Sequence, residues 1–296
     1  MNTKFLITAD SNRSALLKKK IIHYYIANGD ATIAELCKEM DLSIPTVTKL
    51  VGELLDDGYI LDFGKQETNG GRKPNIYGLN PVSGYFVGVD VFRSKINIAA
   101  VDFKGDKLRI EENIPYSLEN TPEALEMLCN LINDFIDRLS VPREKVLAVG
   151  VNISGRVNPV SGYSYSIFYF EEKPLSQILE ERIKIKIYIE NDTRAMMYGE
   201  YMQGVVKGEK NILFINMGWG LGLSIFINGE LYYGKSGFSG EFGHFCFFDN
   251  EILNSNDMTI GADTNSIMCF IEKLMNFNSL KLKVKGVMSD FVLSKK

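Results

Sequence analysis

Apolar residues recur at helical spacing in three successive segments at the start of the chain. The first segment, Ser14 to Ala27, carries a stripe of five apolar residues: Leu16, Leu17, Ile21, Tyr24 and Tyr25. The second, TIAELCKEM, begins with a threonine that can cap a helix and places Glu35 at capping-box spacing. The third, DLSIPTVTKLVGELLDDGYI, offers Ser43 as N-cap and Pro45 in the first turn. The pattern therefore predicts three helices joined by short turns.

Two short strands are predicted after the third helix, in LDFGKQETNGGRKPNIYGLN, with a Gly-rich tip between them. Three helices and such a hairpin outline a winged helix-turn-helix. On this interpretation the third helix enters the DNA major groove and presents four polar residues to base edges and phosphates: Ser43, Thr46, Thr48 and Lys49. The wing presents Arg72 and Lys73 to the DNA backbone or minor groove. An alternative stays open, in which this unit mediates protein contacts and its lysines form a solvated face.

After Pro81 the pattern changes to alternating strands and helices, which predicts an α/β domain with a mostly parallel sheet. Three consecutive strands are expected in YFVGVDV, KINIAAVDF and RIEENIPY, followed by an amphipathic helix in TPEALEMLCNLINDFIDRL. A buried strand, VLAVGVNISGRVN, then runs into a glycine loop, and another strand ends at Asn191-Asp192 before a helix. The later segment NILFINMGWGLGLSIFINGELYYG repeats the opening strand-turn-strand pattern and adds a tight Asn-Gly turn. This repetition predicts an internal duplication.

Composition narrows the class of protein. The 296 residues are 45% hydrophobic and 24% charged, enough for a sizeable core in two or three domains. No apolar run approaches the roughly 18 residues of a membrane span, and the first residues do not have the pattern of a signal peptide, so we expect a cytoplasmic protein without a membrane partner. The cysteines are too scattered for a disulfide framework or a cysteine-rich zinc site: Cys37, Cys129, Cys246 and Cys269. The net charge of −4 argues against indiscriminate polyanion binding.

Taken together, these motifs resemble the ROK family, named for repressors, open reading frames and kinases, and more narrowly its sugar-responsive transcriptional regulators. The resemblance rests on LSIPTVTKLVGELLDDGYI, GGRKP, GVDVFRSKINIAAVDFKG, ENDTRAMMYGEY and MGWGLGLSIFINGELYYGKSGFSGEFGH, in family order from about residue 13 to 264. It implies a winged helix-turn-helix DNA-binding domain at 1–80. It also implies a two-lobed α/β domain of the actin and hexokinase (ribonuclease H-like) type, with a first lobe at 81–190 and a second at 191–296. We expect the second lobe to be incomplete, because little sequence follows Thr264.

The phosphate-binding turns depart from the pattern of the family's kinases. Those kinases read Asp-x-Gly-Gly-Thr in the first turn, where this chain has Asp90, Val91, Phe92, Arg93 and Ser94. A side chain at position 92 would block the approach of ATP phosphates and resist the positive φ that glycine permits. In the second turn the kinases carry Gly-Thr-Gly, where this chain has Gly218, Trp219 and Gly220. We interpret both turns as vestigial phosphate loops, and ATP is not expected as a cofactor.

The sugar-binding positions of the family match this chain better. The resemblance implies sugar contacts at Asn191 and at Asp192, the general base of the kinases and here a vestigial base. Three later positions match residues that bind sugar hydroxyls: Glu241, His244 and Asp263, the last one methylene shorter than the family's glutamate. Asn152 is expected in a loop, with Ser154 and Gly155, that lines the same cleft. Two alternatives stay open: Asp192 as a helix N-cap, and His244 as a core histidine bonded to the backbone.

The resemblance also bears on metal binding. The family's zinc-binding members have three cysteines where this chain has Asn254, Asn256 and Gly261, so we expect no zinc and no other metal.

The sequence therefore predicts a sugar-responsive DNA-binding transcriptional regulator, a repressor, of carbohydrate metabolism with a degenerate kinase-like sensor domain. Its expected partners are a DNA operator, a small sugar or sugar-phosphate effector bound between the lobes, and a second copy in a homodimer. Whether ligand releases or strengthens DNA binding is left open. One alternative is an active ROK sugar kinase that phosphorylates a hexose with ATP through Asp192. A second alternative is a DNA-binding dimer that responds to no ligand.

Overall fold

The structure, a computed structural model, describes residues 13–65, 74–170, 172–217 and 221–241. The chain divides into two compact units, Met1–Asp192 and Thr193–Lys296. None of the helices within the described ranges is long and apolar enough to cross a membrane.

The first unit begins with the predicted winged helix-turn-helix. Its helices are α1 (Arg13–Asn28), α2 (Ile33–Met40) and α3 (Ile44–Asp56), and its strands are β1 (Ala31–Thr32), β2 (Ile60–Lys65) and β3 (Asn75–Leu79). The strands form an antiparallel sheet in the order β1-β3-β2. The helices share a core that includes Ile21, Tyr25, Leu36, Val47, Leu50, Val51 and Leu54. Of the apolar stripe on α1, Ile21 and Tyr25 are buried, whereas Leu16 is 48% exposed; Ala15 and Ile22 are also buried.

Local contacts explain where these helices begin and how they are held. Thr32 and Glu35 form the predicted capping box, in which the Thr32 backbone N–H donates to Glu35 Oε2 at 2.7 Å and the Glu35 N–H donates to Thr32 Oγ1 at 3.3 Å. The hydrogen bonds that the Thr32 backbone N–H and hydroxyl donate to the Glu35 carboxylate lower the pKa of Glu35. Lys18 connects α1 to α3, since its Nζ lies 2.8 Å from Glu53 Oε2 and 3.5 Å from Asp57 Oδ2. The start of α2 is thus held by its cap, and α1 is held to α3 by an ion pair.

The remainder of the first unit is an α/β layer. Its strands are β4 (Tyr85–Val91), β5 (Lys95–Asp102), β6 (Lys107–Pro115), β7 (Val146–Ile153), β8 (Val157–Asn158), β9 (Tyr163–Ser164) and β10 (Ile187–Asn191), and its helices are α4 (Pro122–Asp137) and α5 (Leu175–Ile183). The main sheet has the order β10-β7-β4-β5-β6. The pairs β4–β7 and β7–β10 are parallel, whereas β4–β5 and β5–β6 are antiparallel. The prediction of a mostly parallel sheet is therefore wrong: two of its four strand pairs are antiparallel, because β4, β5 and β6 follow one another through short turns.

One face of this sheet is covered by helices. Thr121 caps α4 with its hydroxyl, which accepts from the Ala124 N–H at 3.2 Å, and Pro122 occupies the first turn, as predicted. The apolar faces of both helices join the strand residues in one core, which includes Val87, Val89, Val149, Val151, Leu128, Ile132, Phe135, Ile178 and Leu179. Helix α5 and the small β8–β9 hairpin were not predicted.

The winged helix packs directly against the sheet. Phe103, in the turn after β5, is only 5% exposed and belongs to the same apolar cluster as Tyr59 and Leu147. Its ring centroid lies 5.7 Å from that of Tyr59 and 6.0 Å from that of Phe86. The Phe103 N–H also donates to the Pro81 carbonyl oxygen at 3.2 Å. Burial of one aromatic side chain therefore links the winged helix to strands of the sheet.

The second unit is described as a helix and a small sheet. Helix α6 (Asp192–Gln203) crosses the division between the units, and β11 (Ile212–Met217), β12 (Leu221–Ile227) and β13 (Glu230–Leu231) form an antiparallel sheet in that order. Asn228 (φ 57°) and Gly229 (φ 84°) join β12 to β13, and positive φ at both residues is typical of a type I′ turn. The predicted Asn-Gly hairpin is confirmed.

The burial of Phe103 yields the first prediction. Substitution Phe103→Ala should lower the free energy of unfolding by about 3–5 kcal/mol, because it leaves a cavity in the cluster shared by winged helix and sheet. Urea denaturation measures this loss. The control Phe63→Ala removes a ring that is 50% exposed and should cost under about 1 kcal/mol. Equal losses for the two variants would contradict a shared core at Phe103.

Candidate functional sites

The polar face of α3 is the candidate nucleic-acid interface. Its four predicted DNA-binding residues, Ser43, Thr46, Thr48 and Lys49, are all exposed. The Lys49 side chain is 79% exposed and lies 3.9 Å from Glu53 at helical spacing, so it can reach a phosphate at little cost. Val47, Leu50, Val51 and Leu54 hold the opposite face of the helix in the core. The buried and exposed faces of α3 therefore separate as a DNA-reading helix requires.

The start of α3 differs in detail from the prediction. Ser43 occupies the N-cap position, but its hydroxyl shares a 2.8 Å hydrogen bond with the Thr46 hydroxyl and caps no backbone amide. Ile44 was not predicted to contribute, yet it is 65% exposed beside these hydroxyls. An exposed isoleucine on this face offers an apolar contact of the kind that recognises a thymine methyl group.

A groove separates α3 from the strands of the wing. It is lined by Ile44, Thr48, Lys65, Asn75 and Tyr77, among others. The predicted wing-tip residues Arg72 and Lys73 lie outside the described residues.

A row of polar side chains crosses the main sheet near the carboxyl ends of its parallel strands. Strand register places Glu190 opposite Asn152, Asn152 opposite Asp90, and Asp90 opposite Asn97. All four are half-buried. In open α/β sheets, ligands bind outside the carboxyl ends of the strands, so this row is the candidate small-molecule site of the first unit.

Of this row, sequence reasoning named Asp90 and Asn152 but assigned Asn152 to a loop. That placement is wrong, because Asn152 is the last residue but one of β7. Glu190 and Asn97 were missed, although each is a polar residue near a strand end that faces the sheet's polar row. The strand alternation in IYIEN and KINI contains this signal.

Asp90 is the most perturbed acid of the row. Its pKa is raised to about 6, first by burial and second by the negative charge of Asp192, against an opposing effect of Lys95. The structure thus brings the acid of the first predicted phosphate turn into electrostatic contact with the predicted base. A carboxyl group with this pKa can accept or donate hydrogen bonds near neutral pH.

Asn191 is held in place by the loop after β7. Its Nδ2 donates to the Gly155 carbonyl oxygen at 3.0 Å. Gly155 has φ +89°, and a Cβ there would lie 2.5 Å from Ser166 Cβ, so only glycine fits. The neighbouring Arg156 N–H donates to Ser166 Oγ at 2.9 Å. Asn191 is therefore oriented by a loop that has little freedom to move.

The turn between β4 and β5 is a short hairpin. The Phe92 N–H donates to the Lys95 carbonyl oxygen at 2.9 Å, and Lys95 Nζ lies 5.4 Å from the Phe92 ring centroid. No residue from Val91 to Lys95 has positive φ. The carbonyl oxygen of Arg93 accepts from the Leu118 N–H at 2.9 Å. This turn therefore lacks the left-handed glycine conformation of glycine-rich phosphate loops, and its Phe92 amide is already bonded.

In the second unit, the first turn of α6 is fitted to the hairpin beneath it. Thr193 is buried, and its hydroxyl oxygen accepts from Asn216 Nδ2 at 3.2 Å. A Cβ at Gly222 would collide with this hydroxyl, so glycine is required at the start of β12. Arg194 is also buried, with Nη1 donating to the Gly237 carbonyl oxygen at 2.8 Å. Sequence reasoning missed both α6 residues.

The other predicted positions fall at or beyond the edge of the described ranges. Glu241 is described and half-buried. The residues of the second phosphate turn, the remaining sugar-binding positions and the positions aligned with zinc ligands lie outside the described residues: Gly218, Trp219, Gly220, His244, Asp263, Asn254, Asn256 and Gly261.

Comparison with known proteins supports both parts of this picture. A family model described as "ROK family" matches residues 86–255, and a model described as "Winged helix-turn-helix DNA-binding" matches residues 16–60. A solved ROK family transcriptional regulator, a homolog of the Escherichia coli MLC protein, shares the fold with a TM-score of 0.65 at 20% identity. That match covers 88% of this chain and 68% of the solved one.

Two curated relatives are similar in sequence. The xylose repressor of Bacillus subtilis (strain 168) is 28% identical over 233 residues, which are 77% of this chain and 59% of that protein. The DNA-binding transcriptional dual regulator NagC of Escherichia coli (strain K12) is 27% identical over 219 residues, which are 73% of this chain and 53% of NagC. The chain therefore spans less than two thirds of the length of these relatives.

The raised pKa of Asp90 predicts a pH-dependent stability. Because the folded protein binds this proton more tightly than the unfolded chain does, stability falls as pH rises from the ordinary value of 3.8 to about 6, and the loss is complete above that. Asp90→Asn removes this titration. The Tm of Asp90→Asn minus that of the native protein should therefore rise from pH 4 to about pH 6.5 and then stay constant. Each kcal/mol of difference in stability shifts Tm by about 2–4 °C.

Thermal unfolding across this pH range tests the prediction. The control Glu112→Gln changes an exposed carboxylate on β6 and should give no such trend. Parallel curves of Tm against pH for Asp90→Asn and the native protein would contradict the raised pKa of Asp90.

Proposed function

The chain belongs to the ROK family, and we propose that it is a sugar-responsive DNA-binding transcriptional repressor. The observation that carries the proposal is the packing of an exposed DNA-reading helix, through Phe103, onto the sheet that holds the polar row. The similar proteins named as a xylose repressor and as NagC support a sugar-linked regulator. The regulated genes would be those of carbohydrate metabolism.

DNA binding would rest on α3 and the wing. Ser43, Thr46 and Thr48 present short hydroxyl groups to base edges, and Lys49 presents a cation to a phosphate. Arg72 and Lys73 would extend this contact from the wing tip. A basic surface this small predicts modest non-specific affinity, so we propose that a homodimer reads two half-sites of an operator.

Sugar binding would rest on carboxylate and amide groups near the carboxyl ends of the strands. Such groups accept and donate hydrogen bonds to neighbouring sugar hydroxyls. We assign Asn152, Asn191 and Asp192 to this role, and Asp90 joins them because its charge and that of Asp192 interact. Glu241, His244 and Asp263 remain part of the proposal from the second unit.

The strands themselves offer a route between the two functions. Three strands each carry a polar residue of the row near one end and, at or just beyond the other end, a residue of the contact with the winged helix. These pairs are Asp90 and Phe86 for β4, Asn97 and Phe103 for β5, and Asn152 and Leu147 for β7. These separations of four to six residues correspond to about 13–20 Å. A ligand that shifts these strands would therefore displace the base of the winged helix.

The proposal includes the absence of sugar kinase activity. Phe92 and the bonded turn that contains it leave no glycine loop for ATP phosphates in the described part of the first unit. Asp192 would then bind a hydroxyl without removing its proton. Release of ADP in a coupled assay with hexoses would overturn this part of the proposal.

The division into domains belongs to the proposal as well. We assign 1–80 to DNA binding, 81–190 to the first ROK lobe and 191–296 to the second.

Substitution of Lys49 tests the DNA interface. Lys49→Ala should weaken binding to the promoter region of its own gene and to unrelated DNA by similar factors, and reduce the salt slope by about 1, because one phosphate contact is lost. Fluorescence anisotropy at several salt concentrations measures both quantities. Lys107→Ala, which removes an exposed lysine on β6, is the matched control and should change neither. An unchanged slope in Lys49→Ala would contradict the assigned interface.

Substitution of Asp192 tests the sugar response separately. Xylose, N-acetylglucosamine and other monosaccharides are added to the protein–DNA complex, and an effective sugar should change operator affinity by about 5- to 150-fold. Asp192→Asn should keep the DNA affinity of the native protein and lose this response, because the amide cannot replace the charged acceptor. If no monosaccharide alters the native affinity, the sensor function fails while DNA binding stands.

A further inference from the structure

Arg194 is a buried cation whose position the proposed DNA and sugar contacts do not explain. It is 2% exposed, the largest fully buried side chain among the described residues. Burying a guanidinium costs several kcal/mol of desolvation unless hydrogen bonds and other favourable contacts compensate. It stands two residues after Asp192 on α6, whose first turn is already fixed by Thr193. Its retention in the interior therefore calls for a specific contact.

The contact lies in the loop between β13 and Glu241. Arg194 Nη1 donates to the Gly237 carbonyl oxygen at 2.8 Å, and its guanidinium carbon lies 5.4 Å from the Tyr233 ring centroid. Gly237 has φ +81°, so the loop turns sharply at the residue that Arg194 binds. One side chain thus contacts the loop at its start and near its middle.

The rest of the loop has little room to move. The Ser239 N–H donates to the Tyr233 carbonyl oxygen at 3.2 Å, and the Ser239 hydroxyl donates to the Tyr232 carbonyl oxygen. Gly240, at φ +85°, lies so close to the Leu223 carbonyl oxygen that a Cβ would collide with it. Glu241 follows immediately.

We propose that Arg194 is a positioning residue that fixes the 233–240 loop and so sets where Glu241 presents its carboxylate to a sugar hydroxyl. The sugar contact of Glu241 rests on the function proposed above, whereas the contacts of Arg194 with the loop do not depend on it. Arginine suits this role because its planar fork can bond a carbonyl while its face packs on an aromatic ring. Lysine keeps the charge but lacks both the fork and the flat face.

Hydrogen exchange of the ligand-free protein tests the positioning itself. In Arg194→Lys, amides of residues 234–240 should exchange at least about tenfold faster, because the loop loses its anchor, while β11 and β12 keep their protection. Arg182→Met, which removes an exposed arginine of α5, is the control and should leave the loop unchanged. Unchanged loop exchange in Arg194→Lys overturns the proposal. A uniform rise across the whole second unit also overturns it, because that result indicates a general structural role.

If Arg194→Lys does not fold, Tyr233→Leu removes the ring contact alone and is measured in the same way. It should also speed exchange within 234–240, by a smaller factor than the loss of the guanidinium. No change in this variant would count against the proposal.

A double-mutant cycle on sugar affinity tests the link to Glu241. Arg194→Lys and Glu241→Gln should each raise the Kd for the effective monosaccharide, and the double variant should be no weaker than the weaker single variant, because both act through one carboxylate. If the rise in Kd of the double variant equals the product of the two single-variant rises, the proposed link between Arg194 and Glu241 is overturned. If the native protein binds no monosaccharide, the sensor function fails, and the exchange experiment still decides whether Arg194 positions the loop.

Discussion

Burial of Phe103 is the contact on which the arrangement of the first unit depends. Its ring leaves the turn after β5 and enters the core of the winged helix, beside Tyr59 and within reach of Phe86. Without this contact the apolar connection between the winged helix and the sheet would rest on Leu147, beside polar bonds such as that between Lys145 and the Val82 carbonyl oxygen. With it, the winged helix and the sheet share apolar packing, and packed interiors transmit displacement because they are nearly incompressible.

The two ends of the sheet differ in polarity and in what they contact. Polar groups gather at one end of the sheet because parallel strands bring their carboxyl ends together, and the winged helix occupies the other end. Asp90, partly buried beside another negative charge, is a costly residue that a purely structural sheet would not need. The same strands therefore combine a polar end with an apolar end that packs against the winged helix.

Local patterns predicted the elements well, and long-range contacts account for what was missed. The capping box at Thr32 and Glu35, the Asn228-Gly229 turn and the three strands from 85 to 115 follow from neighbouring residues. The apolar spacing in LSQILEERI also contained α5, which was overlooked. By contrast, the exposure of Leu16, the interaction of Asp90 with Asp192 and the burial of Arg194 depend on partners distant in sequence. Arginine is seldom fully buried, so no single-sequence rule would have placed it inside.

The first three residues of α6 constrain how this part of the chain can vary over evolutionary time. Asp192 interacts with Asp90, Thr193 fits against Gly222, and Arg194 reaches the Gly237 carbonyl oxygen. Each successive residue of a helix is rotated by about 100°, so these three side chains leave the axis in three separate directions. Inserting or deleting one residue here would misdirect all three together. Divergence at this helix is therefore confined to exchanges of residue type at constant length.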